Sequence, residues 1–214
     1  MVYYSQAWQD EFVANILSFK KNGHYLDIGS AVPNAQSNTY FFDSELNWNG
    51  ICVEKGSDYN EMYKQKRTCH FINADATTVN YKSVLDTLKY PSRIDYLSVD
   101  IDESSALALK QMPLDNYRFS LITIEHDAYR FGDSLRSEER EILKKHDYHL
   151  LFSNVLVPLG CGMGPDLPFE DWWVDLSAFN VDQLSKLVTK LTPDKLYPDH
   201  IVATLKNMGL KYTI

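Results

Sequence analysis

Tyr25-Leu26-Asp27-Ile28-Gly29 is an apolar run of strand length that breaks at an acid and a glycine. The same design recurs in Ile51-Cys52-Val53-Glu54, Phe71-Ile72-Asn73-Ala74-Asp75, Tyr96-Leu97-Ser98-Val99-Asp100-Ile101-Asp102 and Leu121-Ile122-Thr123-Ile124-Glu125-His126-Asp127. Each run is rich in β-branched or aromatic residues, and each is followed by a polar stretch and a helical pattern. This alternation predicts an α/β fold with a mostly parallel sheet covered by helices on both faces. Ligands of such sheets bind beyond the carboxyl ends of the strands. Five acid-bearing strand ends therefore describe one polar crevice, suited to hydroxyl groups and to metal ions.

The boundaries follow from local signals. Ser5 is positioned to cap a helix running to about Lys20, with Trp8, Phe12, Val13, Ile16 and Leu17 on its buried face. Ser37 or Asn38 caps a helix through Leu46, and helices are expected over Asp58 to Lys66, around Val84 to Leu88 and around Leu107 to Met112. Ser134 to Lys145 reads as a charged surface helix and Tyr148 to Val155 as a sixth strand. Val157 to Glu170, with three glycines and three prolines, reads as a loop, and Gly160-Cys161-Gly162-Met163-Gly164-Pro165 within it as a lid or a surface connection. A last strand is expected at Trp172 to Leu176, followed by helices around Val181 to Leu191 and Asp199 to Met208.

The 214 residues contain no internal repeat, linker or low-complexity tract, so one domain is expected over 1–214. A net charge of -8 offers no footprint for a phosphate backbone, so nucleic acid is not an expected partner. The three cysteines, Cys52, Cys69 and Cys161, have neither zinc-motif nor disulfide-framework spacing. The N-terminus lacks a signal-peptide pattern and no stretch is long and apolar enough for a membrane span, so the expected location is cytoplasmic, away from membranes. Nothing in the sequence sets the oligomeric state.

A strand ending in Asp-x-Gly before a small-residue loop and a helix is a nucleotide-binding turn. Gly29 lets backbone approach a ligand, Asp27 accepts from an ammonium or hydroxyl, and Glu54 is placed for both hydroxyls of a ribose. Asp75, beside Ala74, is placed to meet an adenine amino group. Ser30 in the loop and Lys55 after Glu54 complete this candidate set. No second glycine follows Gly29 until Gly50, so the Gly-x-Gly-x-x-Gly pyrophosphate loop is missing. A ligand with ribose and base but no phosphate fits better, and S-adenosylmethionine is the commonest such cofactor.

The chain resembles the FkbM-type family of class I S-adenosylmethionine-dependent methyltransferases. The resemblance is carried by Ser5-Gln6-Ala7-Trp8-Gln9-Asp10, Leu26-Asp27-Ile28-Gly29, Ser37-Asn38-Thr39, Trp48-Asn49-Gly50-Ile51-Cys52-Val53-Glu54, Asp95 to Asp102 and Ile122 to His126, with Phe169-Glu170-Asp171-Trp172-Trp173 in addition. It implies a three-layer, Rossmann-like sheet of seven strands with the last pair reversed. It also implies cofactor contacts from Asp27, Gly29 and Glu54, joined by Ser37, Asn38 and Asp75, and an acceptor that is a hydroxyl on a sugar, glycan or other small molecule. The chain departs from the family at Asn34-Ala35, where a second glycine is usual, at Ser98, where many members have lysine, and at Glu103 and Ser105, where glycine and an acid are usual.

Transfer to a hydroxyl needs alignment, removal of a proton and exclusion of water. The fourth and fifth strand ends offer Asp100, Asp102, Glu125, His126 and Asp127, with Asp100 shared with the cofactor side. His126 is a candidate general base, its ordinary pKa being about 6.5. Asp100, Glu125 and His126 also form a candidate divalent-metal set suited to magnesium, manganese or iron. The other picture leaves one acid to bind the methionine ammonium and His126 to bond a neighbouring loop. Tyr129, Arg130, Trp172 and Trp173 read either as acceptor-pocket walls or as core. The rival functions are a degenerate methyltransferase fold used as a binding module, and a nicotinamide-dependent oxidoreductase.

Overall fold

The computed structural model describes residues 1–156, 167–180, 184 and 197–208. Seven strands form one sheet: β1 (His24–Ile28), β2 (Asn49–Glu54), β3 (His70–Asn73), β4 (Arg93–Val99), β5 (Arg118–Glu125), β6 (His149–Leu156) and β7 (Pro168–Val174). Their order is β3-β2-β1-β4-β5-β7-β6. The first five pair in parallel, and β7 runs antiparallel to both β5 and β6. The order reverses between β1 and β4, which places the crevice at their carboxyl ends.

Helices cover both faces: α1 (Gln9–Ile16), α2 (Tyr40–Leu46), α3 (Tyr59–Lys66), α4 (Tyr81–Thr87), α5 (Ser105–Gln111), α6 (Ala128–Phe131), α7 (Asp133–Lys145) and α8 (Pro198–Met208). Period-two alternation splits each central strand between two apolar cores. Tyr25, Tyr96 and Trp172 join α1, α2 and α8 on one face. Their neighbours Leu26, Leu97 and Trp173 join α4, α5 and α7 on the other. Trp172 and Trp173 are thus core residues, fully buried, and Phe12 stacks on Trp172 with ring centroids 4.2 Å apart. They are not walls of an acceptor pocket.

The structure corrects three boundaries. The first helix begins at Gln9 and ends at Ile16, well inside the expected span. Trp8, not Ser5, stands at the N-cap position, but the Ser5 hydroxyl still accepts from the Asp10 N–H of the first turn at 3.4 Å while donating to the Asp10 carboxylate. The third strand stops at Asn73, and the Asp75 side chain accepts from the Thr77 amide to cap a short 3-10 turn. The last strand begins at Pro168, inside the expected loop: a proline is tolerated at the first position of a strand, and Glu170 to Val174 pair along β5. The expected lid at 160–165, Cys161 and the helix expected around 181–191, apart from Leu184, lie outside the described residues.

Glu139 on α7 sits in this fold at a cost. It is 1 % exposed, and neither carboxyl oxygen has a hydrogen-bond partner among the described residues. Burial, and then the Asp171 carboxylate, push it up to about 9. A carboxyl whose folded pKa is raised favours the fold fully below its unfolded value and loses that contribution as pH climbs toward the folded one. Between the ordinary value of 4.5 and about 9 the fold therefore loses stability, by about 3 kcal/mol at pH 7. Glu139→Gln removes the titration. Urea unfolding is expected to show the variant more stable than wild type by about 3–5 kcal/mol at pH 8 and equal to it at pH 4.

Candidate functional site

The β1 end is built around a contact that only glycine allows. Gly29 has φ +81, and a Cβ there would lie 1.7 Å from the Asp100 carbonyl oxygen. The Asp100 amide in turn donates to the Ile28 carbonyl at 2.8 Å. The ends of β1 and β4 thereby close on each other and bring Asp100 to the crevice.

A cavity of about 350 Å³ opens here, bounded by Gly29 and Ala31, by Glu54 and Lys55, by Ala74 and Asp75, and by Asp100 and Asp102. Glu54 is held in place by two backbone donors, Ala31 N–H at 3.1 Å and Gly56 N–H at 2.9 Å, one on each oxygen. An ionised carboxylate has about four acceptor positions. Two therefore remain, one on each oxygen, which matches a vicinal diol. Asp75 lines the same cavity while capping its 3-10 turn, and the hydrogen bonds from Thr77 hold its carboxyl below the usual range.

Asp27 lies deeper. It is 2 % exposed and accepts from Thr39 Oγ1 at 2.6 Å. Burial pushes its carboxyl up to about 6, against the pull of Thr39 and of Arg67. Asn38 Nδ2 donates to Ser98 Oγ at 3.0 Å and lines a smaller adjoining cavity of about 110 Å³ together with Asp27, Ser30 and Asp100. Ser37 borders neither cavity. Its hydroxyl accepts from Tyr40 N–H at 3.2 Å and Arg67 Nη1 at 3.2 Å, so it holds the start of α2 rather than facing a ligand.

Arg67 is the functional residue that sequence reasoning missed. It follows Lys64-Gln65-Lys66 at the end of α3, a run that reads as a solvated face. Its guanidinium is buried, ion-paired to Asp43 at 2.5 Å and bonded to Pro33 O, Ser37 Oγ, Tyr25 Oη and Thr39 Oγ1. One side chain thus fixes the 33–39 segment that carries Asn38 and Thr39. Only the coincidence of a buried acid at Asp43 with a tyrosine at Tyr25 signals it, and neither is near it in sequence.

The ends of β4, β5 and β7 form a cluster of acids. Burial first, and then the Asp100 and Asp127 carboxylates, push Glu125 far above the usual range, so it keeps its proton at neutral pH, and burial raises Asp100 beside it as well. Glu170, in register with Glu125 across β5 and β7, accepts from Trp172 Nε1 and Gln9 Nε2 and is pushed by burial up to about 8. Asp102 is exposed and accepts from Arg130 Nη1 at 3.0 Å, and the same guanidinium reaches Asp127 at 3.4 Å. Arg130 thus bridges two acids at the mouth instead of lining a wall.

His126 does not join this cluster. It is fully buried, its Nδ1 accepts the Ala128 N–H at 3.1 Å, and its Nε2 faces Asp171 at 3.6 Å. With Nδ1 occupied, the ring proton lies on Nε2, and no nitrogen is left to take a proton from a substrate. Asp171 is engaged by Arg140 at 2.7 and 2.9 Å and sits at about 2: burial works to raise it, and His126 and Arg140 override that. The expected metal set of Asp100, Glu125 and His126 is not assembled. Among the described residues no three His, Cys, Asp or Glu side chains are placed to share a metal ion.

The fold is similar to that of known structures. A precorrin-6y C5,15-methyltransferase from Geobacter metallireducens aligns with TM-score 0.51 and 14% identity over 78% of this chain and 85% of that one. A Klebsiella pneumoniae protein, provisionally named an O-methyltransferase, gives 0.50 and 15% over 82% and 83%. The S. pombe Dnmt2 methyltransferase gives 0.50 and 14% over 72% of this chain and 49% of that one. The fold is the class I methyltransferase fold. At these identities the likeness speaks for architecture, and the FkbM-type resemblance stays at the level of the motifs that carry it. No protein-family model and no curated protein matches the sequence. No helix among the described residues is long and apolar enough to cross a membrane.

Proposed function

We propose that this chain, acting as one domain, transfers the methyl group of S-adenosylmethionine to a hydroxyl oxygen of a sugar or other small-molecule acceptor. The observation that carries this reading is the Glu54 carboxylate. Two backbone amides fix it at the wall of the larger cavity, its free acceptor positions match a ribose diol, and no phosphate loop lies beside it.

The bound cofactor supplies an electrophilic methyl group. In this reading Glu54 accepts from the ribose hydroxyls, while Ala74 and Asp75 flank the adenine and Lys55 closes the rim. Asp27 and Asp100 face the ammonium. A cation beside Asp27 lowers its pKa, so the buried carboxyl ionises when the site fills. Toward the acceptor, Asp100 is the carboxylate placed to take the hydroxyl proton. Glu125, already protonated, is the neighbour that holds it in place. Asp102 stands at the mouth with Arg130. A crevice of acids suits a neutral polyol and repels a phosphate backbone.

The test is transfer of a labelled methyl group from S-adenosylmethionine to a panel of glycosides and small alcohols, with bulk RNA as a separate arm. Label in an alkali-stable ether of a small acceptor is the expected result. Label in RNA would overturn the acceptor class. Cofactor binding without transfer to any acceptor would favour a binding module.

A further inference from the structure

The fifth strand ends in an elbow whose acid the proposed chemistry leaves unused. The His126 and Asp127 amides both donate to the Phe169 carbonyl, at 2.8 and 2.9 Å, and the Ala128 amide donates to His126 Nδ1 at 3.1 Å. These bonds hold Asp127 in left-handed backbone, at φ 43 and ψ 44. Asp127 is 2 % exposed, and its charge helps to raise both Asp100 and Glu125, so its carboxylate faces the acid cluster. One oxygen, Oδ2, accepts from Arg130 Nη1 at 3.4 Å. The other, Oδ1, is buried and has no hydrogen-bond partner among the described residues. A buried charged group left short of donors is costly, and a ligand that donates to it recovers the loss.

Arg130 is a weak partner for this carboxylate. Its side chain is 55 % exposed and is shared with Asp102, itself 58 % exposed, at 3.0 Å. Ion pairs this open to solvent contribute little, so the guanidinium is readily exchanged for another cation. A metal ion does not fit that place: among the described residues no three His, Cys, Asp or Glu side chains are placed to share one. An organic ammonium does fit, because it has three donors to distribute over separate acceptors. Asp102 also borders the larger cavity together with Asp100. A cation held by Asp127 and Asp102 therefore lies beside the carboxylate assigned to the acceptor hydroxyl.

We infer that the acceptor carries an amino group as well as its hydroxyl, as an amino sugar or amino alcohol does, and that its ammonium displaces Arg130 to meet Asp127 and Asp102. Asp127 is then a specificity-determining residue, and Arg130 holds its place until the acceptor arrives. The inference rests on the proposed transfer to a hydroxyl and narrows its acceptor class. A neutral polyol enters the same crevice but leaves Asp127 Oδ1 without a donor.

The experiment measures transfer of label from S-adenosylmethionine to matched acceptors: glucosamine against glucose, ethanolamine against ethylene glycol, and the N-acetylated amines as a third set. Wild type, Asp127→Asn and Asp102→Asn are compared by the ratio of kcat/KM for the amino acceptor over the neutral one. Asp102 is exposed, so its variant tests the site even if Asp127→Asn fails to fold. Wild type is expected to favour the amino acceptor at least about tenfold, with the label on oxygen, and N-acetylation to remove the preference. Asp127→Asn is expected to cut the ratio about tenfold and Asp102→Asn about threefold. Equal use of amino and neutral acceptors, or a preference that survives N-acetylation or the substitutions, overturns the inference while transfer to a hydroxyl stands. Label on nitrogen overturns both. If S-adenosylmethionine binds by calorimetry but no acceptor takes label, the inference and the transfer reading fail while the cofactor site stands. If it does not bind, the cofactor reading fails and this inference with it.

Discussion

Gly29→Ala is expected to abolish cofactor binding and to destabilise the protein by at least about 2 kcal/mol. The left-handed backbone alone costs a side chain about 1–2 kcal/mol. A methyl group at 1.7 Å from the Asp100 carbonyl adds a clash with backbone rather than with a side chain free to swing away. Relief requires β4 to withdraw from β1 at the point where the Asp100 amide bonds to Ile28. That movement takes Asp100 out of both cavities, because it borders each of them. Thermal unfolding and ligand titration of the folded fraction would read the two effects separately. A variant that binds like wild type would show that the β1–β4 contact does not shape the site.

Arg67→Ala is expected to be the more damaging for stability, by about 3–5 kcal/mol, the usual range when one partner of a buried ion pair is removed. Asp43 would be left as a buried acid facing an emptied space, and Tyr25, Thr39, Ser37 and Pro33 would each lose a donor. Three aromatic rings surround the guanidinium, with centroids at 5.5–5.9 Å, and would lose their cation as well. Arg67→Lys keeps the charge but not the planar fork, so it should recover only part of the loss. Chemical denaturation decides this, and a change below about 1 kcal/mol for Arg67→Ala would contradict the assigned role.

The parallel half of the sheet and its acids were legible because β-rich runs and acidic strand ends are properties of consecutive residues. Asp27, Glu54 and Asp100 could be placed from the sequence since each ends a strand at the same edge. His126 could not, because adjacency in a strand is the opposite of adjacency in a site. Successive side chains point to opposite sides, and the His126 amide leaves β5 to bond Phe169 O, carrying the ring toward Asp171. Glu170 was hidden for another reason. The glycines and prolines before it signal a loop, and only the long-range pairing of β7 with β5 overrides that signal. Arg67 shows the general limit. Burial of a charge is decided by partners brought from other elements, and a basic run at a helix end looks the same whether or not they are present.

The claim that the larger cavity is an adenosyl site rests on Glu54, so calorimetric titration of S-adenosylmethionine into wild type and Glu54→Ala tests it most directly. Saturable binding to wild type, weakened about a hundredfold in the variant, is predicted from the loss of two hydrogen bonds to a charged group. No binding to wild type, or the same affinity in both proteins, would contradict it.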